Sequence, residues 1–206
     1  MAAKEGRYHH GDLRSALIDV AITLIAERGV RGFSLAEASR RVGVTTAAPY
    51  RHFADREDLL AAVAVRGLQT FAEMATAGAA ATPEQRLAGI AAAYVRFAAE
   101  HRALFDTLFT AGIDKSRYPE LQRAWEPVDA LLCEVRQICN GDVAAADALA
   151  AAAEATAHGH AMLLLNGEYG HGPEAVRTAA DSAARATLAL IAGRSALISP
   201  AKTRVG

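Results

Sequence analysis

The sequence contains few aromatic residues and almost no cysteine. Phe, Trp and Tyr make up 6% of its 206 residues, and Cys133 and Cys139 are the two cysteines. On one helix these two side chains would lie nearly two turns apart, which is too far for a disulfide bond. This excludes a disulfide-stabilised scaffold and favours a reducing compartment.

Long apolar runs are also missing from the sequence. The longest apolar segment begins at Val143 and is interrupted by Asp147 and Glu154, so no stretch reaches the roughly 18 apolar residues of a membrane span. The first 14 residues, MAAKEGRYHHGDLR, hold no apolar segment typical of a secretory signal. We therefore expect a cytoplasmic protein that has no membrane partner.

The sequence lacks recognisable metal-binding and catalytic patterns. His158 and His160 would point about 200° apart on a helix, and neither cysteine has a metal-type spacing with a histidine. Gly-x-Ser-x-Gly, P-loop and Gly-x-Gly-x-x-Gly motifs are absent. Glu154 and His158 are four residues apart, a spacing more typical of a structural hydrogen bond than of an acid–base dyad. We therefore expect no metal, no cofactor and no enzymatic activity.

Alanine is abundant where aromatic residues and cysteine are scarce, and it accounts for 50 of the 206 positions. Alanine is the strongest helix former and a poor strand residue. Larger apolar residues recur at helical spacing along most of the chain. These two features predict an all-α protein of about nine helices and no strand.

The N-terminal part has the layout of a helix-turn-helix. Residues 10–54 hold three short helices, and a fourth helix capped by Asp55 continues for several turns. The second helix opens with the capping box Ser-Leu-Ala-Glu at residues 34–37. Gly43 can adopt the left-handed conformation that a tight turn requires. A third helix over residues 45–53 would then enter the DNA major groove by its N-terminus.

Because of Pro49, the sequence does not decide at which residue this third helix begins. If Thr46 is the cap, Pro49 lies in the first turn and costs little. If Thr45 is the cap, Pro49 removes the first helical hydrogen bond and distorts the turn. In both cases the short side chains at the helix start suit contacts with base edges.

The charge balance agrees weakly with DNA binding by this part of the chain. Residues 1–66 contain 10 Lys+Arg and 8 Asp+Glu, a net charge of +2, whereas residues 67–206 contain 12 and 15, a net charge of −3. DNA presents phosphates, so the more basic part is the expected DNA-binding part.

Four segments resemble the TetR family of transcriptional regulators over about residues 8–66: YHHGDLR at 8–14, AERG at 26–29, SLAEASRRVGV at 34–44 and APYRHF at 48–53. The resemblance implies a double-stranded DNA partner. It places Thr45, Thr46 and Pro49 in the major groove, Tyr50, His52 and Arg56 on phosphates, and Ser34 on the DNA backbone.

The C-terminal part resembles the subgroup of that family marked by Trp-x-x-x-His-Gly in the penultimate long helix. His158 and Gly159 are present, but Glu154 stands where the subgroup has tryptophan. Any role of that tryptophan therefore cannot be carried over to this chain.

The predicted helix at 143–166 is mostly apolar on both faces, and the last predicted helix, 174–192, offers small residues that permit close approach of another helix. A helix that is apolar all round must be buried all round, so one side is expected to pack on a second copy of the chain. The alternative is a core formed entirely within one chain. The resemblance implies the four-helix dimer interface. The residues predicted for it are Leu149, Ala153, Thr156, His160, Leu163, Val176, Ala180, Ala183, Thr187 and Leu190.

Large side chains cluster in the middle helices, and the resemblance implies a pocket there for a small-molecule effector. An apolar or aromatic ligand with one polar group would suit these residues, although each of them alone is typical of an ordinary core. The predicted pocket residues are Tyr94, Phe97, His101, Phe105, Leu108, Phe109, Trp125, His158 and Met162.

The sequence as a whole predicts a DNA-binding domain at residues 8–66, a ligand-binding and dimerisation domain at 67–195, and a disordered tail at 196–206. We interpret the chain as a homodimeric repressor that a ligand releases from a palindromic operator. The competing interpretation is an all-helical carrier or enzyme that uses the pocket, which would leave the helix-turn-helix pattern unexplained.

Overall fold

The computed structural model describes residues 10–77, 82–131 and 133–197. These residues form α-helices without any strand, which confirms the predicted all-α class. The helices are α1 (His10–Arg28), α2 (Leu35–Val42), α3 (Arg56–Thr76), α4 (Pro83–Glu100), α5 (Arg102–Thr110), α6 (Pro119–Leu131), α7 (Cys133–Ile138), α8 (Val143–Leu165) and α9 (Pro173–Ala192). Short 3-10 turns lie at Val30–Gly32, Pro49–Arg51, Lys115–Arg117 and Arg194–Leu197. None of the described helices has the length and apolar character needed to cross a membrane.

Three helix starts are capped by side chains, and the sequence predicts the caps at Ser34 and Asp55. The Ser34 hydroxyl accepts a hydrogen bond from the Glu37 backbone N–H at 3.2 Å. The carboxylate of Asp55 accepts from the Asp58 N–H at 2.9 Å, and that of Asp142 accepts from the Ala145 N–H at 3.0 Å. Each bond satisfies an N–H group that has no partner inside its own helix.

The two ends of the chain extend beyond the described residues. Helix α1 begins at His10. Of the predicted tail at 196–206, residues 198–206 lie outside it, and Arg194–Leu197 forms a 3-10 turn.

The first of two compact units contains residues 10–68 and 101–124. It therefore includes α5, which the sequence analysis assigned to the C-terminal domain. Gly67 on α3 explains part of this packing, because a Cβ at that position would lie 3.2 Å from Leu108 Cδ1 on α5. The absence of a side chain at Gly67 thus permits close approach of the two helices. The largest fully buried side chains of this unit are Leu17, Leu24, Phe53, Leu59, Leu60, Val63, Leu68, Phe105 and Leu121.

The second unit contains the described residues of 69–100 and 125–197. Its centre is formed by α4, α8 and α9, each of which packs on the other two. Small side chains at these contacts let helix axes approach closely. The buried alanines of these helices include Ala91, Ala98, Ala153, Ala157, Ala179 and Ala183. A second cluster of larger buried residues joins α4, α7, α8 and α9 through Leu87, Val135, Ile138, Leu149 and Ile191.

Candidate nucleic-acid interface

Helix α2 ends in the predicted tight turn. Gly43 adopts a left-handed conformation with φ 80° and ψ 27°, and its N–H donates to the carbonyls of Ser39 and Arg40. The Val44 N–H also donates to Ser39 O at 3.0 Å. A residue with a Cβ would be strained at this φ. Gly43 therefore fixes the direction in which the chain leaves α2.

The predicted α-helix over residues 45–53 is wrong, because this segment forms a turn followed by the 3-10 turn Pro49–Arg51. The Ala48 N–H donates to Thr45 O at 3.0 Å, and the His52 and Phe53 N–H groups donate to Pro49 O at 2.8 and 2.9 Å. Pro49 has no N–H, so it cannot donate to the carbonyl four residues earlier. Of the two helix starts that the sequence allowed, the one with a turn distorted by Pro49 is the one that the structure contains.

This turn exposes a short row of side chains, which we call the recognition segment (residues 45–51). Thr45, Thr46 and Tyr50 are exposed, Tyr50 to 62%. Pro49 is buried, so it shapes the turn and does not offer a surface for a DNA groove. Pro49 therefore positions the recognition segment and does not make the predicted contact in the DNA major groove.

Ser34 and His52 lie on either side of the recognition segment and differ in exposure and in hydrogen bonding. Ser34 is exposed, and its oxygen accepts from α2, which leaves the hydroxyl proton able to donate. His52 is half-buried, and its Nε2 atom is buried without a hydrogen-bond partner among the described residues. A phosphate contact by His52 would therefore need its other ring nitrogen.

Arg56 is engaged inside the first unit. Its Nε donates to Phe33 O at 3.1 Å, a second guanidinium nitrogen donates to Val30 O, and the guanidinium lies 4.8 Å from the Phe33 ring centroid. These bonds satisfy carbonyls of the connection between α1 and α2. They give Arg56 a structural role where the sequence analysis predicted a phosphate contact.

The carboxylates of Glu27 and Glu37 bind arginines that lie close to the start of the helix-turn-helix. Glu27 on α1 binds Arg41 through two hydrogen bonds of 2.8 and 2.6 Å. Glu37 binds Arg40 and lies 3.5 Å from Arg28. The hydrogen bond from Arg41 lowers the pKa of Glu27, and the one from Arg40 lowers the pKa of Glu37. Both carboxylates are therefore ionised at neutral pH and compensate nearby positive charge.

Arg51, the last residue of the 3-10 turn, is not among the residues that the sequence predicts for DNA contacts. Its side chain is exposed. Within the described part of the chain it makes neither a side-chain hydrogen bond nor an ion pair. Its position directly after Tyr50 in a predicted recognition element was an available signal, but the sequence could not reveal which arginines have internal partners.

Half of the residues predicted for a dimer interface are buried within the single chain. These are Leu149, Ala153, Ala180, Ala183 and Thr187. They face the contacts among α4, α8 and α9, so they cannot also face a second copy. Thr156, His160, Val176 and Leu190 are half-buried, and Leu163 is 46% exposed.

The opposite side of α8 is both apolar and exposed. Ala144, Ala151, Ala155, Gly159 and Met162 are all exposed, and their spacing places them along one side of the helix. Leu163 borders this set. We call these residues the α8 face.

The predicted pocket residues belong to both units. Tyr94, Phe97, Trp125, His158 and Met162 lie in the second unit, whereas His101, Phe105, Leu108 and Phe109 lie in the first. Phe105 and Phe109 contact each other with ring centroids 4.9 Å apart. Met162 is 36% exposed and belongs to the α8 face.

Tyr94 and His158 form the most specific polar contact of the second unit. The Tyr94 hydroxyl lies 2.9 Å from His158 Nδ1, and the ring centroids of Tyr94 and Phe71 lie 5.6 Å apart with nearly perpendicular ring planes. Burial, with a smaller effect from Glu154, raises the pKa of Tyr94. Tyr94 therefore stays a neutral phenol that can donate to the imidazole nitrogen.

A second histidine–tyrosine pair lies near the end of α8. His160 Nδ1 is 2.5 Å from the Tyr169 hydroxyl. Burial, and to a lesser degree the positive charge of Arg185, lowers the pKa of His160. His160 thus favours its neutral form in the folded protein.

The capped α2 helix, its left-handed turn and the exposed recognition segment define a helix-turn-helix DNA-binding protein. Residues 17–63 match the family model described as bacterial regulatory proteins, tetR family, and residues 87–190 match the one described as tetracyclin repressor-like, C-terminal domain. The second match covers half of the chain. The chain belongs to the TetR family of transcriptional regulators.

Individual relatives agree with this assignment. The chain is 34% identical over 61 residues to the HTH-type transcriptional regulator AcrR of Shigella flexneri, covering 30% of this chain and 28% of that protein. It is 29% identical over 106 residues to the uncharacterized HTH-type transcriptional regulator YobS of Bacillus subtilis, covering 51% and 56%. The matches thus span only part of these curated relatives.

A solved structure from Rhodococcus sp. RHA1, titled as a protein with unknown function, covers more of the chain. It is 32% identical with a TM-score of 0.66, over 88% of this chain and 98% of that one. The helical architecture therefore extends over nearly the full length of both chains.

Proposed function

We propose that this regulator is a repressor that binds a palindromic operator as a homodimer and is released by a small-molecule effector. The observation that carries the DNA-binding part is the exposed recognition segment, which follows the left-handed turn at Gly43 and contains the buried Pro49. The hydroxyls and methyls of Thr45 and Thr46 suit base edges in the major groove. Tyr50 and Ser34 suit phosphates. We place this action in the cytoplasm, where the DNA of a bacterial cell lies.

The dimer is proposed to form through the α8 face. A helix-turn-helix reads few base pairs, and a two-fold dimer doubles the site by binding half-sites about 34 Å apart. Ala151, Ala155 and Gly159 carry little or no side chain, so a symmetry-related helix can approach closely. Met162 and Leu163 would supply larger apolar area. This set replaces the buried residues that the sequence predicted.

The effector is proposed to bind in the second unit near Tyr94 and His158. Phe71, Tyr94 and Phe97 form a buried aromatic cluster, in which the ring centroids of Phe71 and Phe97 lie 5.7 Å apart. The Tyr94–His158 hydrogen bond offers one polar position, so an apolar or aromatic ligand with a single polar group fits best. His158-Gly159 also supports the Trp-His-Gly subgroup, with Glu154 in place of its tryptophan.

Release would be a shift between two conformations of the dimer. A ligand moves such an equilibrium only to the extent that it binds one conformation more tightly than the other. The effector must therefore favour a conformation in which the two recognition segments do not match the spacing of the half-sites.

Selection of bound duplexes from a random DNA pool at two salt concentrations tests the DNA-binding proposal. We expect a palindrome bound by two chains, with affinity that falls steeply as salt rises. The variant Thr45→Ala/Thr46→Ala is the matched control, because it keeps every charge and should lose sequence selection while keeping the salt dependence. Binding without sequence enrichment at either salt concentration would contradict the proposal.

A further inference from the structure

The three arginines of the helix-turn-helix, residues 34–53, differ in how their charge is used. Arg40 is paired with Glu37, three residues earlier on α2. Arg41 makes two hydrogen bonds with Glu27, and these bonds, together with a smaller effect of the negative charge of Glu27, raise the pKa of this arginine. Both guanidinium groups would have to give up a carboxylate in order to bind a phosphate.

Arg51 has no such competing partner among the described residues. It is exposed, and it ends the 3-10 turn in which Tyr50 is also exposed. Two backbone hydrogen bonds stabilise this turn. The Arg51 N–H donates to Ala48 O at 3.3 Å, and the His52 N–H donates to Pro49 O at 2.8 Å. The guanidinium thus starts from a fixed backbone position beside the proposed DNA-contacting residues.

We propose that Arg51 is the phosphate-binding cation of the recognition segment, in the role that the sequence predicted for Arg56. This inference rests on the proposed DNA-binding function. A guanidinium matches the geometry of a phosphate with two parallel hydrogen bonds. Because no internal ion pair is broken, the whole electrostatic gain of Arg51 is available to binding. Arg56, by contrast, would have to leave the carbonyls of Phe33 and Val30.

The test compares salt titrations of operator binding for the wild type, Arg51→Gln, Arg51→Lys and Arg41→Gln. One phosphate contact contributes about 0.9 to the slope of log affinity against log salt. Arg51→Gln should therefore flatten the slope by about 0.9 per bound head, or about 1.8 for a dimer on both half-sites. Arg51→Lys should keep the slope. Arg41→Gln, which removes an internally paired arginine, should leave it nearly unchanged.

Three results separate the possible failures. If the wild type shows no sequence-enriched, salt-dependent binding, the proposed function fails and Arg51 has no role to test. If the wild type binds and Arg51→Gln keeps its slope with an equal melting temperature, the assignment of Arg51 is overturned. If Arg51→Gln keeps the slope but changes the preferred base at one position, Arg51 reads a base and the phosphate assignment is likewise wrong.

Discussion

Arg56 Nε donates a 3.1 Å hydrogen bond to the backbone oxygen of Phe33, while its guanidinium lies over the Phe33 ring. The bond joins the first turn of α3 to the residue that precedes the Ser34 cap. A second bond to Val30 O ties the same guanidinium to the preceding 3-10 turn. Arg56 thereby stabilises the connection between α1 and α2 on which the helix-turn-helix depends.

Replacement of Arg56 by alanine should mainly destabilise the fold. Two backbone carbonyls would lose a charged donor, and hydrogen bonds to charged groups typically contribute about 1.5–3 kcal/mol each before relaxation. We expect a loss of about 1–3 kcal/mol in the free energy of unfolding, measured by urea titration. A flattened salt slope of DNA binding with unchanged stability would instead support the phosphate contact predicted from sequence.

Neutralising Glu27 should strengthen DNA binding without regard to sequence. In Glu27→Gln the guanidinium of Arg41 loses its carboxylate partner and becomes available to a phosphate. The expected result is a salt dependence steeper by about 0.9 per head, seen equally on operator and unrelated duplexes. The control is Glu73→Gln, which removes an exposed carboxylate of α3 in the second unit. If the salt dependence changes equally in both variants, the effect comes from net charge alone and not from the release of Arg41.

The contrast between Arg51 and Arg56 illustrates which parts of the interface are predictable. The caps Ser34 and Asp55 follow from local chemistry, because each acts on an N–H three residues away. The use of Arg56 depends on Phe33 and Val30, which lie 23 and 26 residues earlier. Such a pairing exists only after α3 has packed on the α1–α2 connection, so residue spacing alone cannot reveal it.

The exposed side of helix α8 could not be predicted from the sequence, for a different reason. Its helical span follows from composition and from the Asp142 cap, but alanines surround its whole circumference. Leu149 and Met162 therefore both stand in apolar surroundings along the sequence, although Leu149 is fully buried in the chain and Met162 is exposed. Only the packing of α4 and α9 decides which side remains free.

His160 should make stability depend on pH in the acidic range. Burial lowers its pKa in the folded state below the ordinary value of 6.5, so the unfolded chain binds more protons as the pH falls through about 6.5. Its contribution is thus complete above this pH and is lost below it. Unfolding free energies measured from pH 8 to 5 should fall less steeply for His160→Gln. His171→Gln, which changes an exposed histidine, should retain the wild-type curve.

The Tyr94 hydroxyl should determine the tautomer of His158. The raised pKa of Tyr94 keeps its proton on the phenol, so the hydroxyl can donate to Nδ1 of His158, and we expect the ring proton on Nε2. Nitrogen chemical shifts of His158 should report this tautomer in the wild type and a mixed population in Tyr94→Phe. Loss of one buried hydrogen bond should also cost about 1 kcal/mol. Unaltered shifts in the variant would show that another contact sets the tautomer.

Gly159 offers a sharp test of the α8 face, because a Cβ built there meets nothing within 4 Å in the chain. Gly159→Leu should therefore fold at least as well as the wild type, since leucine is a better helix former than glycine. A bulky side chain would nevertheless hold two α8 helices apart. We expect light scattering to show monomers at concentrations where the wild type is dimeric, together with weaker binding to a palindromic site.

Gly89 on α4 supplies the matched control for this change. It is also exposed, and a Cβ there also meets nothing within 4 Å, so Gly89→Leu gains the same helix propensity. Because Gly89 lies on a different helix, this variant should remain dimeric and bind DNA as the wild type does. If both variants stay dimeric, the two chains must associate through another surface, and the exposed apolar side of α8 would need a different partner.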